Sequence, residues 1–251
     1  MRGILSVLLI CSSFCLSAET LRVAVAANFI EVVDALVVQF KQSHEADIQV
    51  IAGSSGKLYA QIRHGAPFGL FLSADQEKPH SLIKDKVADA DSLVTYAQGR
   101  LVLLSSSPGL VVTGPEVLDS TGLQRLAIAN PKLAPYGAAA VSFLTATDNL
   151  TSTRDKWVMG ENISQTFQYV YTGNAQLGLV ARSQVNSLKG KPDFSYWLVP
   201  AELHTPIKQD MVLLRSAQNN QQARAFWYFM QSDDAKGIIT GFGYDVPNPT
   251  M

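Results

Sequence analysis

Apolar residues recur along this chain at two alternating spacings. Leu21-Arg22-Val23-Ala24-Val25-Ala26-Ala27 is a short β-rich run. After Asn28, a good helix cap, Phe29, Val32, Val33, Leu36, Val37 and Phe40 follow the i, i+3, i+4 rhythm of an amphipathic helix. Ile48–Ala52 predicts a second strand, Gly53-Ser54-Ser55-Gly56 a turn, and Leu58 and Ile62 the apolar face of the next helix. Leu70-Phe71-Leu72 predicts a third strand, with Ser73-Ala74-Asp75 leading into a helix. Strand and helix in alternation is the pattern of parallel α/β sheets.

The pattern continues with strands over Leu101–Leu104, Leu126–Ala129, Leu177–Val180 and Ile207–Leu214. Helices are predicted over Ala138–Thr145, entered through Pro135-Tyr136-Gly137, and after Asn162, carrying Ile163, Phe167 and Val170. Two more close the chain, over Ala223–Met230 and Asp234–Thr240. No repeat, low-complexity tract or linker interrupts the sequence.

The N-terminus stands apart from this rhythm. Met1-Arg2 is a short positive start, Ile4–Leu16 an apolar run, and Ser17-Ala18 a small-residue cleavage site, the layout of a secretory signal peptide. The run has 13 residues, short of the roughly 20 a membrane span needs. Ile10 and Phe14 precede Cys11 and Cys15, so neither cysteine suits a lipoprotein signal. Cleavage after Ala18 would remove both cysteines and leave an exported protein that relies on a conventional core.

Composition narrows the function classes. Of 251 residues, 47% are hydrophobic and 16% charged, which argues against disorder. A formal net charge of −1 leaves no electrostatic footprint for nucleic acid. Gly53-Ser54-Ser55-Gly56-Lys57 lacks both the glycine spacing and the hydroxyl residue after lysine of a phosphate loop. Ser54 and Ser55 lack the spacing of a nucleophile elbow. His44, His64, His80 and His204 sit among polar or turn-like neighbours without metal-ligand spacing, and all four are expected at the surface.

What recurs instead is a strand that ends in small or hydroxyl residues and runs straight into a helix start. Ala26-Ala27-Asn28, Gly53-Ser54-Ser55 and Ser73-Ala74-Asp75 do this, and Pro135-Tyr136-Gly137 and Asn162-Ile163 open later helices. Ordinary capping accounts for any one of these turns. Several together suit an anion site, because helix N-termini offer free N–H groups and partial positive charge, and open α/β sheets bind ligands at their carboxyl edge. A near-neutral protein can hold a dianion this way.

At these residues the sequence resembles the periplasmic molybdate-binding proteins of ABC transporters. The likeness runs through Val25-Ala26-Ala27-Asn28-Phe29, Gly53–Ile62, Gly65-Ala66-Pro67-Phe68 and Phe71–Gln76. It continues through Tyr96-Ala97, Gly99–Leu103, Ala129-Asn130-Pro131, Gly173-Asn174-Ala175, Leu177-Gly178 and Gly241–Tyr244. The resemblance implies a two-lobed periplasmic binding protein fold of type II-like α/β architecture. Each lobe would be a mixed, mainly parallel sheet flanked by helices. Residues 19–98 and 206–251 would form one lobe and 99–205 the other, behind a signal peptide over 1–18.

It further implies that Asn28 is a first-loop donor, that Ser55 donates through hydroxyl and backbone, and that Tyr136 and Ile163 offer backbone N–H groups, with Ala27 lining the pocket. The implied ligand is molybdate, with tungstate beside it, and the implied partner an ABC permease. No cofactor, no nucleic acid and no metal other than molybdenum as molybdate through the same residues are expected, and the chain would be a monomer and no enzyme. A binding protein for sulfate or another tetrahedral oxyanion, and an exported serine hydrolase, are the alternatives.

Two positions depart from the family. Ala181 stands where some members carry a ligand-binding tyrosine, and Tyr136 could supply a phenol from the other side. Gly69 replaces the usual aspartate before the Phe71-Leu72 strand, a change expected to touch local stability. Lys57 and Arg100 are expected to face solvent or brace the lobes, and Trp157, Trp197 and Trp227 to pack.

Overall fold

A computed structural model describes residues 20–188, 190, 191 and 193–247; the signal-peptide expectation over 1–18 falls outside them. The first part of the chain forms β1 (Leu21–Ala26), α1 (Ile30–Phe40), β2 (Ile48–Gly53), α2 (Ser55–Arg63), β3 (Leu70–Leu72), α3 (Glu77–Lys84) and β4 (Val94–Gly99). The middle forms β5 (Leu101–Ser105), β6 (Leu126–Ala129), α4 (Pro135–Ala146), α5 (Leu150–Thr153), β7 (Trp157–Gly160), α6 (Ile163–Tyr171), β8 (Leu177–Ala181), α7 (Arg182–Val185) and β9 (Ser195–Leu198). The chain then returns through β10 (Ile207–Leu213) and closes with α8 (Gln221–Phe229) and α9 (Asp233–Gly241).

Two five-stranded sheets result, ordered β2-β1-β3-β10-β4 and β7-β6-β8-β5-β9. In each, three strands run parallel and the fourth is antiparallel to both neighbours. The two lobes therefore share one wiring, with β10 and β5 in equivalent places. The chain crosses between lobes at Arg100 and again between Leu198 and Ile207. Gly99, assigned to the second lobe from sequence, ends a strand of the first sheet, where its Cα partner is Ile207.

Both faces of each sheet are covered, which explains the near-continuous apolar strands. Along β1, Leu21, Val23 and Val25 join one buried cluster with Phe29, Val32, Val33, Leu36 and Phe40, while Ala24 joins another with Leu58, Phe71 and Leu82. The period of two along a strand sends alternate side chains to opposite faces. The second lobe repeats this, with Leu101 and Leu103 in one cluster and Val102 and Leu104 in another. Each such buried aliphatic or aromatic side chain contributes about 1.5–3 kcal/mol.

The register fixes where the strands stop. Ala26 pairs with Gly53 and Val25 with Leu72 in the first sheet, and Ala129 pairs with Gly160 in the second. The carboxyl ends of β1, β2 and β3 thus lie level, facing those of β6 and β7 across the cleft. No described helix is long and apolar enough to cross a membrane.

Candidate functional site

Four helix starts converge where the two lobes meet. Ala27–Phe29 is a 3-10 turn, Ser55 is the first residue of α2, Tyr136 follows Pro135 at the start of α4, and Ile163 opens α6. The first N–H groups of a helix have no intrahelical acceptor and carry the positive end of its dipole. Ala27, Asn28, Ser55, Tyr136 and Ile163 all line one cavity of about 10 Å³ between the lobes, closed in by Ala26, Gly53, Ala74, Ala134, Pro135 and Asn162. None of these residues carries a formal charge at neutral pH.

The local sequence holds each turn in place. Ser54 Oγ caps α2 by accepting from Lys57 N–H at 3.3 Å, which leaves Ser55 free of that task. Ser55 Oγ accepts from Ala74 N–H at 2.9 Å and is fully buried. With an acceptor position taken by backbone, its hydroxyl proton remains for the cavity. Asn162 caps α6 through Gln165 N–H at 3.0 Å, and Gln184 Nε2 donates to Ile163 O at 3.2 Å.

Several bonds tie the lobes across the cleft. Gly56 N–H donates to Leu133 O at 2.8 Å, and Ser164 Oγ donates to Ala27 O at 3.1 Å. Ser183 Oγ lies 3.0 Å from both Asn28 O and Tyr244 Oη. Lys57 Nζ pairs with Glu161 at 2.8 Å and Arg100 with Asp245 at 3.2 Å, so both basic residues brace the lobes. These partly exposed pairs contribute at most about 1 kcal/mol each.

Behind the cavity lies a buried polar cluster. Asn28 Nδ2 donates to Gln209 Oε1 and to Tyr244 Oη, both at 3.0 Å. Tyr244 Oη donates to Asn28 O at 2.7 Å, and Tyr96 Oη reaches Ser73 O at 3.0 Å and Gln209 Oε1 at 3.1 Å. Burial, with the neighbouring Tyr244, pushes the Tyr136 and Tyr96 phenols well up, and burial pushes Tyr244 up to about 12. All three remain protonated donors at neutral pH.

Four expectations change. Asn28 does not cap α1; Phe29 holds that position and makes no side-chain cap, while the Asn28 side chain turns inward to Gln209 and Tyr244. The Tyr136 phenol does not enter the cavity from the far side. Its Oη lies 2.1 Å from where a Cβ on Gly99 would stand, beside Gln209 Nε2, at the crossing between lobes. Only glycine leaves that room. His204 is buried rather than exposed, with Nδ1 2.8 Å from Thr205 O. At Gly69, a Cβ would stand 2.7 Å from Leu21 Cδ1 and 2.9 Å from Ala217 Cβ, so that space is already filled.

Ser55 has no histidine or carboxylate hydrogen-bonded to it, and its only side-chain partner among the described residues is Ala74 N–H. An activated serine needs an adjacent base. Among the described residues, no group of three or more His, Cys, Asp or Glu could hold a metal ion. Ser183, Gln209 and Tyr244 were not singled out as site residues from sequence. Tyr244 lies in a matching motif, whereas Gln209 sits between Lys208 and Asp210 in a strand that no motif marks.

Comparisons with known proteins identify relatives of the chain. The chain is 41% identical over 227 residues to the molybdate-binding protein ModA of Azotobacter vinelandii, covering 90% of each sequence. It is 41% identical over 221 residues to ModA of Rhodobacter capsulatus, covering 88% of this chain and 86% of that one. The solved structure of the A. vinelandii periplasmic molybdate-binding protein superposes with a TM-score of 0.86 at 37% identity, over 91% of this chain and all of the other. A sulfate-binding protein from Mycobacterium tuberculosis shares the fold at a TM-score of 0.75 and 12% identity. The profile of the bacterial extracellular solute-binding protein family matches residues 21–245, and the chain belongs to that family.

Proposed function

We propose that this protein captures molybdate, and tungstate with it, in the periplasm and delivers it to an ABC permease, acting as a monomeric binding protein without catalysis or cofactor. The observation that carries this reading is the uncharged, donor-lined cavity, whose helix starts come from both lobes. Identity to two ModA proteins supports molybdate as the oxyanion.

Capture proceeds by lobe closure without covalent chemistry. Each hydrogen bond to a charged acceptor contributes about 1.5–3 kcal/mol. Five or six of them cover the cost of closure and leave roughly −8 kcal/mol, a micromolar dissociation constant or tighter. The anion bridges the lobes, and the closed form is what the permease distinguishes. A lining rich in donors also selects: a protonated oxyanion brings an O–H that meets donors head-on. Phosphate, which mostly carries a proton at neutral pH, is rejected on that ground, and sulfate by its smaller size.

Calorimetric titration with molybdate, tungstate, sulfate and phosphate tests the proposal. Submicromolar binding of the first two, weaker sulfate and no phosphate is expected. Tightest binding of sulfate would overturn the assignment in favour of a sulfate carrier.

A further inference from the structure

The buried cluster behind the cavity leaves three atoms unserved. Tyr136 Oη and Gln209 Nε2 are sealed from solvent against Gly99, and neither makes a hydrogen bond of good geometry among the described residues. Among the described residues Asn28 Oδ1 accepts from no donor, because the hydrogen bonds of that amide all run through Nδ2. It is not sealed from solvent, and Asn28 lines the cavity. An acceptor oxygen there opposes an oxyanion, and orphaned buried polar groups are costly.

One rearrangement resolves all three. The oxygen and nitrogen of a carboxamide are nearly the same size, so a half-turn of its plane leaves packing unchanged while exchanging donor for acceptor. Turning Gln209 puts its two N–H groups toward Asn28 and Tyr96, now 3.0 and 3.1 Å from that end of the amide, and its oxygen toward Tyr136. Tyr96 Oη then keeps its proton for Ser73 O. Turning Asn28 places Oδ1 where it accepts from Gln209 and faces Tyr244, and Ser183 Oγ still serves Asn28 O. The Asn28 NH2 then points to the cavity.

Resting on the molybdate reading, we propose that Gln209 is a positioning residue for anion capture. In the loaded state Tyr136 Oη donates to Gln209 Oε1, Gln209 Nε2 donates to Asn28 Oδ1, and Asn28 Nδ2 donates to the oxyanion. Tyr136 belongs to the second lobe, whereas Asn28 and Gln209 belong to the first. Tyr136 thus ties the second lobe to the amide chain of the first, holding Gln209 in the orientation that aims the Asn28 NH2 at the anion. The strand is built for this: β10 carries a register shift between Gln209 and Asp210, and such bulges re-aim side chains beside functional sites. Gln209 is fully buried beside it.

The test is molybdate calorimetry on the wild type, Tyr136→Phe, Gln209→Met and the double variant, with ligand-free melting of each. Wild-type binding tests the molybdate reading by itself; the variants test the relay. About tenfold weaker binding is expected for each single variant, with the double variant no weaker than the weaker single one. Ligand-free melting of Tyr136→Phe stays near wild type. In a side-chain amide NMR spectrum, molybdate shifts the Asn28 NH2 resonances of the wild type and leaves those of Tyr136→Phe less changed. Wild-type affinity in Tyr136→Phe, losses that multiply in the double variant, or an Asn28 amide indifferent to molybdate overturns the relay. If Gln209→Met does not fold, affinity and NMR of Tyr136→Phe decide alone.

Discussion

Gly56 N–H of the first lobe donates to Leu133 O of the second at 2.8 Å, a backbone bond across the mouth of the cleft. A Cβ on Gly56 would stand 2.9 Å from that oxygen and 3.0 Å from Leu133 Cα. Alanine there holds the lobes apart by a few tenths of an ångström without disturbing either core. Gly56→Ala is expected to bind molybdate about tenfold more weakly while the ligand-free protein melts at the wild-type temperature. Titration and melting curves on the same preparation check both halves.

Ser55 offers the cavity a hydroxyl proton because backbone takes its acceptor side. Ser55→Ala removes that donor and leaves Ala74 N–H without its partner. At least a tenfold loss of molybdate affinity is expected, from a charged hydrogen bond of about 1.5–3 kcal/mol. Asn28→Ala is expected to lose as much, since it removes the amide that links the first loop to Gln209 and Tyr244. Calorimetry checks both, and wild-type curves would remove these residues from the site.

Acid sensitivity should centre on His204. Burial holds its folded pKa below the ordinary 6.5, with the Arg100 charge adding to that and the bond to Thr205 opposing it. The unfolded chain therefore takes up the proton at a higher pH than the folded one. Stability rises with pH wherever the unfolded state binds more protons. It falls as pH drops below about 6.5 and levels off below the folded value. His204→Gln should flatten the decline of melting temperature below about pH 6.5.

Gly69→Asp, which restores the usual family residue, should destabilise this chain. The new Cβ would meet Leu21 Cδ1 at 2.7 Å and Ala217 Cβ at 2.9 Å. Overpacking of this kind costs about 1–3 kcal/mol, and a buried carboxylate adds to it. Denaturant titration should show a lower midpoint, with molybdate affinity unchanged at saturation of the folded form.

Much of this architecture is visible in the amino-acid pattern, and the strands that are not follow one rule. The strands recognised from sequence include β1, β3, β6 and β8, which are covered on both faces and carry nearly unbroken apolar runs. Those not recognised, β4, β7 and β9, are all edge strands, partly exposed and mixed in composition, such as the Ser195–Leu198 segment. The edge strand β2 was found because Val50 and Ile51 give it a β-branched centre. The helix starts around the cavity are legible because small and capping residues mark them. The cluster behind them is not: Asn28 and Gln209 stand 181 positions apart, and nothing local announces a contact made by the fold.

The pairing of Gly99 with Ile207 makes the second lobe, in topological terms, one very large hairpin loop. β4 and β10 are antiparallel neighbours, and everything between them leaves the first sheet and comes back beside its point of departure. The second sheet draws all its strands from that excursion, so it is an insertion whose two ends are already held together. Chain entropy for tethering such ends is modest and grows only slowly with the length inserted. Two adjacent strands also form a narrow strap rather than a broad seam. The second lobe can swing about that strap much as a door moves on one pair of close-set pins, while the first sheet stays whole in every position of the swing.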